Sequence, residues 1–129
     1  MYSEIVVDHF TNPRNVGEIK KYNGHGTAGD PNCGDYLEIF ILVEDNIIRD
    51  IGFKVHGCVG AIASSSMTTE LAKDKAVMAA FAINDEDIVE ALAGLPEEKI
   101  HCSLLGAYAL KSAIIDYAKS IKNKSMEEE

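Results

Sequence analysis

The sequence predicts an α+β domain, a small antiparallel β-sheet of about three strands with helices packed mainly on one face. Three observations carry that expectation. Residues 36–44 and 47–55 are rich in Ile, Val, Leu and Phe and flank the turn signal Glu44-Asp45-Asn46, so they read as a β-hairpin. From Ala61 onward, apolar residues recur at helical spacing and no further strand pattern returns. The stretch 12–35 holds five glycines and few bulky residues, so it reads as a glycine-rich loop with room for one short strand.

The elements follow in order. Ser3 is placed to cap a short helix carrying Ile5, Val6, His9 and Phe10, and Asn12-Pro13-Arg14-Asn15 ends it. After the hairpin, residues 61–73 read as a helix, and 76–82 as a small-residue helix. Asn84, followed by Asp85, Glu86 and Asp87, is an N-cap with an acidic first turn. That helix stops at Gly94 and Pro96. Ser103 opens the last helix, with Leu104, Leu105, Tyr108, Ala109, Ser112 and Ile115 in register. One domain over 1–122 is expected, with an acidic tail at 123–129 expected to be disordered.

The chain has 129 residues, enough for one domain with a real core. Its net charge of −9 argues against nucleic acid, because phosphate neutralisation needs basic patches. An acidic surface suits a partner with a basic docking face; it also serves as a plain solubility device. No apolar run is long enough to span a bilayer, so no membrane partner is expected. The N-terminus lacks the basic and apolar regions of a secretory signal. Three cysteines, an odd number, point to a reducing cytoplasm and to metal or catalytic chemistry rather than a disulfide framework.

Those cysteines lie in short motifs: Asn32-Cys33-Gly34-Asp35, Gly57-Cys58-Val59-Gly60 and His101-Cys102-Ser103. Three thiols, one carboxylate and one imidazole match the ligand set of a soft-metal site. In extended backbone, Cys33 and Asp35 point to one side and can reach one ion. Cys58 and Cys102 each lie just before an expected helix, where the dipole favours thiolate. Five candidates for four tetrahedral positions leave one group free to exchange, which suits transient binding. Taken singly, each residue has a plainer reading. A lone cysteine is often an inert small hydrophobe, Asp35 a turn residue and His101 a surface or cap histidine. His9, His25 and His56 read as solvent-exposed or satisfied within the core.

Taken together, these motifs resemble the IscU/NifU-type iron–sulfur cluster assembly scaffolds over nearly the whole chain. The resemblance rests on Asp8-His9-Phe10 with Asn12-Pro13-Arg14-Asn15-Val16-Gly17, on Asn32-Cys33-Gly34-Asp35, on Phe53-Lys54 through Gly57-Cys58 to Ala61-Ile62-Ala63-Ser64-Ser65-Ser66, and on Lys99-Ile100-His101-Cys102-Ser103. It implies a scaffold, not an enzyme. Such a scaffold takes sulfur from a cysteine desulfurase and iron from an iron donor. It assembles a transient 2Fe–2S cluster and passes it to apo-proteins or carriers. It further implies Cys33, Cys58 and Cys102 as cluster thiolates, His101 or Asp35 completing the set, and Cys102 as persulfide acceptor. Zinc is implied as an occupant of the cluster-free form.

The chain departs from the pattern at Leu95-Pro96-Glu97-Glu98-Lys99, where chaperone-dependent members carry Leu-Pro-Pro-Val-Lys. Two positions differ and both are acidic, which counts against docking of the specialised Hsp70-type chaperone. A homo-oligomer around a shared cluster stays open. The main rival function is a zinc-bound persulfide relay; His101 and the short spacing between Cys58 and His101 argue against it. A Cys–His hydrolase needs an imidazole in reach of the thiol and an oxyanion motif. A closed structural zinc site would leave no spare ligand.

Overall fold

The computed structural model describes residues 2–29 and 34–128, the side chains of 123–128 excepted. It contains α1 (Glu4–Thr11), β1 (Gly24–Gly29), β2 (Tyr36–Glu44), β3 (Ile47–His56), α2 (Val59–Ala72), α3 (Val77–Phe81), α4 (Asp85–Ala91), a 3-10 turn at Glu97–Lys99, and α5 (His101–Glu128). The strands form one antiparallel sheet in the order β1-β2-β3. The expected α+β class and hairpin are therefore present, and the glycine-rich stretch does supply a third strand.

Local chemistry explains the boundaries. Ser3 Oγ accepts the Val6 N–H at 3.1 Å, capping α1. Asp45 and Asn46 take positive φ (53° and 64°), which matches a two-residue primed hairpin turn between β2 and β3. At α4, Asn84 and Asp87 form a reciprocal capping box.

Cross-strand register sorts the sheet into two faces. Gly26 pairs with Ile39 and Ile39 with Phe53; Gly24 pairs with Ile41 and Ile41 with Ile51. That set faces α5 and α2, and its large members are buried in the main core with Ala109, Leu110, Ala113 and Ile114. On the opposite face Phe40 stacks with His25 at 4.7 Å and meets Tyr22 edge-on at 5.1 Å. The segment at 15–17 lies along the free edge of β3: Gly17 N–H donates to Phe53 O at 2.7 Å, and Phe53 N–H to Asn15 O at 3.0 Å.

Helix α2 is the central helix and is buried on almost every side, including Ser64, Ser65, Ser66, Thr68 and Thr69. Its hydroxyls turn back onto its own carbonyls: Ser65 Oγ to Ala61 O at 2.7 Å and Thr68 Oγ1 to Ser64 O at 2.7 Å. A second apolar cluster of Val6, Ala63, Met67, Ile88, Leu92 and Ala107 ties α1, α2, α4 and α5 together. No helix among the described residues is long and apolar enough to cross a membrane.

Candidate metal and sulfur site

Three of the five expected ligands converge. The ligand atoms of Asp35, Cys58 and Cys102 lie within 4.8 Å of one another. The hairpin makes the first half of that meeting. Tyr36 pairs with His56 at the end of the β2–β3 ladder, so Asp35 comes to stand beside Gly57, next to Cys58. Cys58 is the N-cap of α2, and Cys102 lies in the first turn of α5. Those two turns are joined by Ser64, whose buried hydroxyl lies 2.6 Å from Gly60 O and 3.2 Å from Cys102 O.

Two glycines make the approach possible. A Cβ at Gly57 would sit 2.7 Å from Asp35 Oδ1, closer than real side chains come. A Cβ at Gly60 would sit 3.3 Å from Cys102 Sγ. Neither position requires an unusual φ; what matters is the missing side chain.

The two sulfurs are 3.7 Å apart. Tetrahedral metal–sulfur bonds of about 2.3 Å place two thiolates about 3.8 Å from each other, so the pair already has the span of two ligands on one centre. The donor set, two soft sulfurs and one hard oxygen, fits a soft or borderline metal with one weak corner.

Cys102 corrects one expectation. The last helix starts at His101 rather than Ser103, because the turn at Glu97–Lys99 runs into it and Ser103 N–H bonds Ile100 O at 3.0 Å. Cys102 is thus inside the first turn and has no exposed surface. Its thiol is pushed up to about 12 by burial, by its hydrogen bond with Cys58 and by the Cys58 charge. The thiolate-favouring position expected for both cysteines holds for Cys58 only. Burial opposes ionisation there too, but the Ala61 N–H, the Cys102 thiol and the Gly60 N–H outweigh it and bring the Cys58 thiol below its ordinary value. Two sulfurs this close disfavour double ionisation, and of the two thiols Cys58 is the more acidic.

His101 is exposed, and its Nε2 stands 3.8 Å from Cys102 Sγ, so the ring folds back onto its neighbour instead of diverging. It borders the trio without completing it in this arrangement. Cys33 lies outside the described residues. Lys99 was not singled out in the sequence. The Cys58 charge and a hydrogen bond to that thiol raise its ammonium above the ordinary lysine value, so it stands as a cation at the mouth of the site. Its only signal was its place three residues before Cys102.

The other histidines stand apart. His9 is buried, with Nδ1 2.8 Å from Ser66 Oγ. His25 pairs with Glu38 at 3.2 Å on the sheet's open face, and His56 is exposed.

Comparison with known proteins points to one family. The family model for the NifU-like N-terminal domain matches residues 1–124. An iron–sulfur cluster assembly scaffold protein, IscU 1, of Archaeoglobus fulgidus is 55% identical over 117 residues, covering 91% of this chain and 76% of the relative. The iron–sulfur cluster assembly scaffold protein IscU of Escherichia coli is 50% identical over 120 residues, covering 90% and 93%. Among solved structures, the N-terminal part of a NifU-like protein from Brucella abortus superposes with a TM-score of 0.63 at 16% identity, covering 95% of this chain and 94% of that one. The last likeness concerns the fold alone.

Proposed function

The chain belongs to the NifU-like N-terminal domain family, and from that premise we propose that it is a scaffold on which a 2Fe–2S cluster is assembled and then handed on. Sulfur comes from a cysteine desulfurase and iron from an iron donor; apo-proteins or carriers receive the cluster. The protein holds and releases cargo and turns over no substrate of its own. The observation that carries this reading is the Asp35–Cys58–Cys102 trio, with its sulfurs at ligand spacing. The scaffold names of the relatives point the same way. Reduced thiols are required throughout, which suits the cytoplasm.

The roles follow from the chemistry. Cys33, Cys58 and Cys102 supply thiolates, the ligands iron–sulfur clusters take best. Asp35 or His101 supplies the remaining donor. Cys102 accepts sulfur: its thiolate attacks the terminal sulfur of the desulfurase persulfide, one S–S bond forms as another breaks, and the desulfurase thiolate leaves. Burial and the neighbouring Cys58 thiol, 3.7 Å away, hold the proton on Cys102, so the attack requires that proton to be lost first, which a bound cation beside the two sulfurs favours. Lys99 offsets the negative charge that collects as thiolates and sulfide gather.

A zinc-bound persulfide relay is the second reading, since the sulfur spacing suits zinc equally. Anaerobic reconstitution with Fe(II), cysteine and a desulfurase separates the two. A 2Fe–2S absorption spectrum that decays as an apo-ferredoxin gains its cluster supports the scaffold. Persulfide on Cys102 with zinc retained and no cluster overturns it in favour of the relay.

A further inference from the structure

Helix α4 and the segment after it carry most of the chain's charge imbalance. Residues 84–98 contain Asp85, Glu86, Asp87, Glu90, Glu97 and Glu98 and no lysine or arginine, a local charge of −6 in a chain of net −9. Among the described residues, the ion pairs join Arg14 to Asp8, His25 to Glu38 and Lys54 to Glu18, and none neutralises these six. Beside them runs a groove of about 460 Å³ between α4 and Ile100, the residue before α5. It is lined by the apolar side chains of Val89, Ala93 and Ile100 and by the carboxylates of Asp85, Glu86 and Glu90. Ile100 is 39% exposed although apolar. It directly precedes His101 and Cys102.

We propose that this groove is a docking site for a basic amphipathic segment of a partner protein, one that sets an apolar side chain against Val89 and Ile100 and lysines or arginines against the carboxylates. Charge complementarity selects the occupant. An apolar lining offers an anchor its pocket, while unpaired carboxylates speed encounter with cations and repel acidic surfaces. A second copy of this chain would bring the same excess of negative charge and is disfavoured. Nucleic acid is repelled for the same reason. A partner seated here lies against the residue that leads into the Cys102 turn, so docking brings it to the edge of the thiol site. The inference stands whichever cargo the thiols carry.

The test titrates the isotopically labelled full chain, metal-free, with a synthetic Lys/Leu amphipathic peptide and follows amide shifts. Binding is expected to perturb Val89, Glu90, Ala93 and Ile100 first. The double variant Glu86→Gln/Glu90→Gln is expected to weaken it about tenfold, while Glu44→Gln/Asp45→Asn, which removes equal charge at the hairpin turn, changes it less than about twofold. Equal weakening by both variants, or shifts spread evenly over the acidic surface, overturns the proposal as mere net-charge attraction. Binding of a Glu/Leu peptide at the same residues overturns the role of the carboxylates. Concentration-dependent shifts there without any peptide overturn the choice of partner in favour of self-association. None of these readouts involves a cluster, so failure here leaves the scaffold reading intact.

Discussion

On the proposed reading, Asp35 is the weak corner of the site. A carboxylate oxygen is a harder and poorer match for cluster iron than sulfur, so it favours release. Asp35→Ala should therefore hold a reconstituted cluster longer against a chelator. A change of about 1.4 kcal/mol in ligand free energy makes loss about tenfold slower. Gly57→Ala should act in the same direction, because its Cβ would occupy space 2.7 Å from Asp35 Oδ1 and displace the carboxylate. Cluster loss at the wild-type rate in both variants would remove Asp35 from that role. His9 makes a second residue-scale prediction. Burial, then the nearby Arg14 charge, lowers its pKa, so folding favours the neutral ring. The backbone N–H of Arg14 donates to Ser66 Oγ at 3.0 Å, and the Ser66 hydroxyl is free to donate to a neutral Nδ1 2.8 Å away. A histidine with a lowered pKa binds its proton more readily when unfolded. Stability is therefore unaffected above the unfolded value near 6.5 and falls as pH drops below it. Urea midpoints at pH 7.5 and 5.5 should diverge more in wild type than in His9→Gln; equal divergence would be evidence against this role. The sequence allowed a core-satisfied His9 without choosing it, because its partner Ser66 is far away in the chain. The motifs were legible as residues to be brought together, and Asp35, Cys58 and Cys102 do meet. The pairing of Gly57 with Asp35 was not, because it depends on the register at the ladder's end.

At the scale of elements, local chemistry was the most legible. The hairpin, the Ser3 cap and the Asn84 cap are written in contiguous residues, and each formed where its residues predicted. Strand β1 was harder, and the reason is physical. Its sequence, Gly24 to Gly29, has little intrinsic strand preference. Two of its glycines serve α5 instead: a Cβ at Gly24 would sit 2.6 Å from Ala113 O, and one at Gly26 would collide with the backbone of Ala109, Ser112 and Ala113. The strand lies against the helix backbone to backbone, and Asp116 accepts the His25 N–H at 2.9 Å to hold the edge. No local pattern announces a residue whose purpose is to be absent from an interface. Gly26→Ala should therefore destabilise the domain by about 1–3 kcal/mol through overpacking, although alanine suits a strand better in isolation. Urea unfolding measures it. An unchanged midpoint would mean that α5 shifts freely, contrary to the close contact described here. The early start of α5 was missed for a related reason, since Ile100 and His101 carry no cap signal and the preceding turn sets the boundary.

For the whole molecule, the decisive question is whether the site holds the fold or the fold holds the site. Neither apolar cluster includes Asp35, Cys58 or Cys102: one joins the sheet to α5, the other joins α1, α2, α4 and α5. Asp35, Cys58 and Cys102 hang at the ends of elements those clusters already fix. The protein should consequently remain folded without metal, unlike small zinc domains whose binding energy is their folding energy. Zinc should add stability by linkage alone, about 2.7 kcal/mol when free metal is a hundredfold above Kd. For a domain of this size, that is a rise in Tm of roughly 10 °C. The expected record is one cooperative melt for the chelated protein and one, shifted upward, for the zinc form. A chelated protein that melts without cooperativity would show that the metal is part of the core. Cargo bound to such a centre could not leave without unfolding the protein that carries it, and release to an acceptor would be lost as a function.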